Sequence, residues 1–175
     1  IRIYGKEHGL PITIHGLNSV FKDETGRLWF GGIGGFYDFH PDSLRANNAI
    51  PPVVITDVLL SNVSLKGRSD RTSSPTLDIP YVNFIKLKYY QNDLTIKFSS
   101  LDYNQPLNNQ YLYRLEGYHE QWISADAENR TASYLKLKPG SYHFRVKGSN
   151  GDGVWNEEGA SLEILIKKPW WSTYT

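Results

Sequence analysis

The sequence predicts an all-β protein. Three observations carry this. Helical periodicity is almost absent from the 175 residues. Short runs of alternating apolar and polar residues, separated by turn residues, cover most of the chain. Aromatics reach 14% of the composition, with 12 tyrosines, and tyrosine suits strands and sites with one wet edge.

The first section runs over residues 1–46. IRIYGK reads as a strand. HGLPITIHGL, residues 8–17, reads as loop because Gly9, Pro11 and Gly16 interrupt it. Three short strands follow at 19–22, 27–30 and 36–39. Asp23-Glu24-Thr25-Gly26 turns between the first two, and Gly31, Gly32, Gly34 and Gly35 lie between the second and third. Such a meander cannot bury both faces alone. It needs neighbours, as a propeller blade does.

Linker composition covers HPDSLRANNAIPP, 40–52, and residues 47–52 are assigned as the linker proper. The second section is 53–168, and it opens on a strand at Val53–Leu60. GRSDRTSSP, 67–75, lacks an apolar anchor and reads as an exposed, mobile loop.

Strict alternation then recurs. Leu94, Ile96 and Phe98 share one face, as do Tyr111, Tyr113 and Leu115, then Tyr142, Phe144 and Val146, then Leu162, Ile164 and Ile166. Turn signals fall at Gln91–Asp93, Pro139-Gly140 and Asn150–Gly153. About seven to nine strands in this length match an immunoglobulin-like β-sandwich. The cysteine pair of that fold is missing, so its fibronectin-III-like branch fits better. The predicted architecture is that sandwich preceded by a partial β-propeller blade.

Composition excludes several function classes. Net charge is +1 and no long basic run occurs, so nucleic acid is not a partner. Zero cysteine rules out disulfides, thiolate zinc and thiol nucleophiles. No apolar run reaches about 18 residues. The chain has no methionine and starts at Ile1 inside a strand-like run. It therefore reads as a piece of a longer protein.

NQYLYRLEGYHEQW and TASYLKLKPGSYHFRVKGSNGDGVWNEE resemble the domain named for three tyrosines, the Y_Y_Y domain. The signature residues are Tyr111, Tyr113, Gly117, Trp122, Tyr134, Pro139, Gly140, Tyr142, Phe144 and Trp155. DETGRLWFGGIGGFYDFHPD resembles the last two-component-regulator propeller blade, with Trp29, Gly31, Gly32 and Gly35 as its marks. Its Gly-Gly-Ile-Gly-Gly departs from the Gly-Thr of ordinary blades. The order, last blade then Y_Y_Y domain, is also the family's.

The resemblance implies the periplasmic sensor region of a hybrid two-component histidine kinase of the Bacteroidetes type. It implies a non-catalytic segment with no cofactor, next to the inner membrane. Upstream propellers of the same chain would sense oligosaccharide, so this segment would meet the glycan only indirectly. A homodimer and a membrane helix after Thr175 would be its other partners. Residues 169–175 would then be the juxtamembrane exit, with Pro169, Trp170 and Trp171 at the membrane–water boundary. The alternative is a glycan-binding accessory sandwich of an extracellular polysaccharide-degrading enzyme.

Residue by residue, structural roles outweigh chemical ones. The tyrosines lie on apolar strand faces, where a core ring with a hydroxyl on backbone outweighs a sugar platform. Trp122 and Trp155 are read as core or edge packing. His8, His15, His40, His119 and His143 show no metal spacing. GGIGGF lacks the third glycine of a dinucleotide loop, and the turns at Asn92 and Asn150 lack calcium-loop spacing.

Overall fold

The computed structural model describes residues 15–33, 35–43, 47–66, 81–169 and 171, with backbone alone at 15–18. The IRIYGK strand and the 67–75 loop expected from sequence lie outside these residues. The chain divides into two compact units, 1–47 and 48–175. It is all-β: no α-helix occurs among the described residues.

The first unit is a three-stranded antiparallel sheet in the order β1 (His15–Lys22), β2 (Leu28–Gly32), β3 (Gly35–Phe39). Here one expectation needs correction. β1 starts at His15, inside the stretch read as loop. The β1–β2 register shifts between His15 and Val20, and such an irregularity accommodates Gly16 where a regular ladder would not.

The Asp23 carboxylate organises the β1–β2 turn. One oxygen accepts from the Thr25 and Arg27 amides and the Thr25 hydroxyl. The other accepts from Trp29 Nε1 at 2.9 Å. On β2 and β3, Phe30 stacks against Tyr37 and Phe39 at 5.3 and 5.7 Å. Yet no described side chain of this unit is buried, and Phe21 and Phe36 stay more than 60% exposed. Three strands make half of a core, which is the condition of a partial blade.

The second unit is a sandwich of two sheets. The four-stranded sheet runs β10 (Thr131–Tyr134), β7 (Leu94–Ser100), β4 (Val53–Leu60), β5 (Val63–Ser64). The five-stranded sheet runs β6 (Phe84–Leu87), β12 (Trp155–Ile166), β11 (Gly140–Ser149), β8 (Gln110–Glu116), β9 (His119–Asp126). Neighbours are antiparallel except β6 and β12, which are parallel.

Alternation places the core. Leu94, Ile96 and Phe98 face Phe144, Val146, Leu162 and Ile164, all nearly inaccessible. β4 changes parity midway, burying Val53 and Ile55 and then Val58 and Leu60. The register shift between Ile55 and Asp57 causes this, because one extra residue swaps the faces. Each fully buried side chain of this kind contributes about 1.5–3 kcal/mol.

β12 carries a second irregularity. Gly159 has φ +66°, and a Cβ there would stand 2.0 Å from the Val146 carbonyl oxygen. Asn156 Oδ1 accepts the Gly159 N–H at 2.9 Å and fixes the bulge.

Gly159→Ala combines a clash with an unfavourable φ. It should destabilise the sandwich toward the upper end of about 1–3 kcal/mol, read as a lowered urea midpoint; an unchanged midpoint would contradict the bulge geometry. In the first unit, the bonds to Thr25 and Trp29 lower Asp23 from 3.8 to about 2. A depressed carboxylate stabilises fully above its unfolded pKa and loses that contribution as pH falls through the folded value. The Trp29 indole N–H resonance should therefore titrate near pH 2. A midpoint near 3.8 would show that the Asp23 contacts do not form.

Candidate functional site

The tyrosine-rich strands build the sandwich interior. Tyr111 is 1% exposed, and its hydroxyl accepts the buried Ser100 N–H at 3.1 Å. Phe98 meets Tyr111, Tyr113 and Phe144 at 5.4, 5.6 and 6.1 Å, so one ring cluster bridges both sheets. Tyr142 donates its hydroxyl to the Lys138 carbonyl at 2.8 Å, four residues upstream. Its ring lies against Gly117, whose φ of +89° strains any other residue and where a Cβ would stand 3.0 Å from the Ser141 carbonyl oxygen and 3.2 Å from the Tyr142 ring.

Tyr134 differs. It is buried among Tyr118 and His119, and its hydroxyl finds no protein partner. Burial raises its pKa far above the ordinary phenol value, helped by Tyr113 and Tyr118. Burial likewise pushes Tyr113 and Tyr142 up. All three hydroxyls therefore remain neutral at physiological pH.

Trp122 projects from β9 onto the outer face of the five-stranded sheet. The Arg114 guanidinium and Lys147 ammonium lie over its ring at 4.7 and 5.0 Å. Lys147 also pairs with Glu157, and Arg114 with Glu116, each at 2.5 Å. His143 and Arg145 complete the group around Glu116, at 3.2 and 3.8 Å. Burial would raise Glu116, but the His143 hydrogen bond and the surrounding positive charge outweigh it and hold the carboxyl low. A ring carrying two cations is not a bare platform for a sugar.

The two ends of the sandwich are tied differently. At one, the incoming chain is held by side chains of the Asn150 turn. Asn150 Nδ2 donates to the Ala49 carbonyl and Asn156 Nδ2 to the Pro51 carbonyl, at 3.0 and 2.9 Å. Asn150 is 1% exposed, and its Oδ1 accepts from the Asp152 and Val154 amides. At the other end, Lys167 N–H bonds to the Leu87 carbonyl as β12 finishes. Trp171 then sets its ring edge-on to Tyr89 at 5.1 Å and stays 56% exposed. Trp170 lies outside the described residues.

No group of three or more His, Asp or Glu able to hold a metal forms among the described residues. No described helix is long and apolar enough to cross a membrane.

Residues 102–167 match the family model described as the Y_Y_Y domain. The chain carries a Y_Y_Y domain. The chain is 34% identical over 176 residues to a protein named histidine kinase P4 from Formosa agariphila. That match takes in 98% of this chain and 13% of the kinase. Two similar crystal structures are named as extracellular domains of hybrid two-component systems of B. thetaiotaomicron, BT3049 and BT4673. Identities are 30% and 28%, with TM-scores of 0.71 and 0.63. They cover 94% and 89% of this chain, and the chain spans only 22% and 20% of theirs.

Within the Y_Y_Y domain the signature residues separate into groups. Tyr111, Tyr113 and Phe144 share the ring cluster. Gly117, Gly140 and Tyr142 meet at the β8–β9 and β10–β11 turns, with Pro139 exposed beside them. Trp122 stands alone outside, and Trp155 opens β12 opposite Ser149. In the first unit, Trp29 caps the Asp23 turn, Gly31 and Gly32 end β2, and Gly35 begins β3. Sequence reasoning missed the Glu116 cluster and the Asn150 and Asn156 clamps. The polar positions alternating with Tyr113 and Phe144 held the signal for the first.

Phenylalanine substitutions separate the three hydroxyls. Tyr111→Phe leaves the buried Ser100 N–H unpaired and should cost about 1–3 kcal/mol. Tyr142→Phe should cost about 0.5–1.5 kcal/mol for one lost hydrogen bond. Tyr134→Phe removes an unpaired buried hydroxyl and should be neutral or stabilising. Equal effects in urea denaturation would refute the assignment.

Proposed function

We propose that this chain is the membrane-proximal part of a periplasmic sensor of a two-component histidine kinase. It performs no chemistry. Upstream propellers bind oligosaccharide, and the sandwich carries the resulting change to a membrane helix by altering how two copies pair. Such a change requires the ligand to favour one arrangement over another.

The supporting observation is the separation of the sandwich's two attachments. The incoming segment is clamped by Asn150 and Asn156 at one end. The outgoing strand β12 runs the length of the sheet and leaves at the other. Its 12 residues span about 40 Å. Between these points lies one continuous core rather than a hinge. A displacement at one end therefore moves the whole body, because close-packed interiors transmit strain. The relatives' names, a histidine kinase and extracellular domains of hybrid two-component systems, support the assignment to such a kinase.

The test replaces residues 53–168 of the full-length sensor with a flexible Gly/Ser linker. Oligosaccharide affinity should remain while kinase output is lost. Retained ligand-dependent output would refute the relay.

A further inference from the structure

Charge is unevenly divided between the two ends of the sandwich. At the outgoing end, Lys88, Lys136, Lys138, Lys167 and Lys168 are all exposed. Hydrogen bonds bring their segments together. Lys136 N–H donates to Asp93 Oδ1, Leu137 N–H to the Asn92 carbonyl, and Lys167 N–H to the Leu87 carbonyl. The carboxylates toward this end are Asp93, turned onto the Lys136 amide, Glu116, held among Arg114, His143 and Arg145, Glu120 and Glu163. The incoming end has the opposite sign: Asp102, Asp126, Glu128, Asp152, Glu157 and Glu158 gather there, with Arg130 and Lys147 against them.

Rings accompany the lysines. Tyr89 stands edge-on to both Tyr90 and Trp171, at 5.3 and 5.1 Å. Lys88 lies over Tyr90 at 5.8 Å. Tyr90, Tyr118 and Trp171 are each more than half exposed at this same end.

We propose that this lysine and aromatic collar docks on an anionic lipid surface. Ammonium groups on long stems reach phosphate headgroups while the stems lie along apolar surface. Tyrosine and tryptophan rings favour the boundary between headgroups and acyl chains. The acidic far end is repelled, so the two ends together orient the sandwich with β12 pointing at the bilayer. The collar rests on the membrane-proximal reading above and adds a partner to it.

The test is co-sedimentation of the 175-residue chain with vesicles. Binding to phosphatidylcholine vesicles containing phosphatidylglycerol should exceed binding to pure phosphatidylcholine at least about tenfold, and fall as salt screens it. Lys136→Glu with Lys138→Glu should abolish the preference. Lys97→Glu with Arg130→Glu changes net charge equally, away from the collar, and should retain it. Equal loss in both pairs, or no preference in the native chain, would overturn the proposal. Tyr90→Ala with Trp171→Ala should weaken vesicle binding but leave soluble dextran sulfate binding intact. Vesicle binding unchanged in that variant would show that the rings do not enter the lipid boundary and would overturn the lysine and aromatic collar as proposed. The linker replacement reads signalling and this assay reads lipid binding, so either can fail without the other.

Discussion

Phe98 reaches across the gap between two sheets to Tyr111, Tyr113 and Phe144. Much of the second unit depends on this contact. A sheet with one wet face is stable only if the other is covered. Here one ring from the four-stranded sheet meets three from the five-stranded sheet. The Tyr111 hydroxyl then bonds back to Ser100 on the opposite sheet, so the pair is held by direction as well as by area. The loops that carry chain in and out are positioned by strands fixed around this cluster. Among the described residues of the first unit, the Phe30, Tyr37 and Phe39 rings stack along one sheet.

Strand character was readable wherever one face is buried and the other wet. β7, β8 and the paired ends of β11 and β12 follow from period two alone, and β4 from its run of β-branched and apolar residues. β9 did not, because HEQWISAD lies at a sheet edge and alternates poorly; its single large aromatic points outward. β6 and β10 are four residues each, too short for periodicity to register. The parity change in β4 was also hidden, since a bulge leaves no mark in an apolar run. Of the residues singled out from sequence, the tyrosines were legible as core candidates. What each hydroxyl bonds to was not, because Ser100 and Lys138 contribute backbone atoms. Trp122 could not be placed on a face without β9.

Electrostatics acts on two scales in this domain. Locally, the outer face of the five-stranded sheet is nearly self-satisfied: Glu116 and Glu157 sit among Arg114, His143, Arg145 and Lys147. Exposed pairs of this kind contribute little individually, about 0–1 kcal/mol. Their effect is to hold Arg114 and Lys147 over Trp122, which withdraws that ring from a ligand. Over the whole sandwich, charges separate toward the two ends. A formal net charge of +1 conceals this, since opposite groups cancel in the sum and not in space.

That separation bears on how the proposed relay would keep its orientation. A relay must keep its orientation, or a displacement arriving at one end is lost as free rotation. The clamps by Asn150 and Asn156 restrain the incoming segment through side chains on buried or half-buried backbone. At the outgoing end the restraint within the chain is of another kind. Among the described residues, a backbone bond closes β12 onto Leu87, and the Trp171 ring packs edge-on to Tyr89 while staying 56% exposed. An external surface that took up the lysines and rings would add a further restraint there. The same contact would make the relay depend on lipid charge: screening the lysines would free the outgoing end while leaving the core, the clamps and the propellers unchanged.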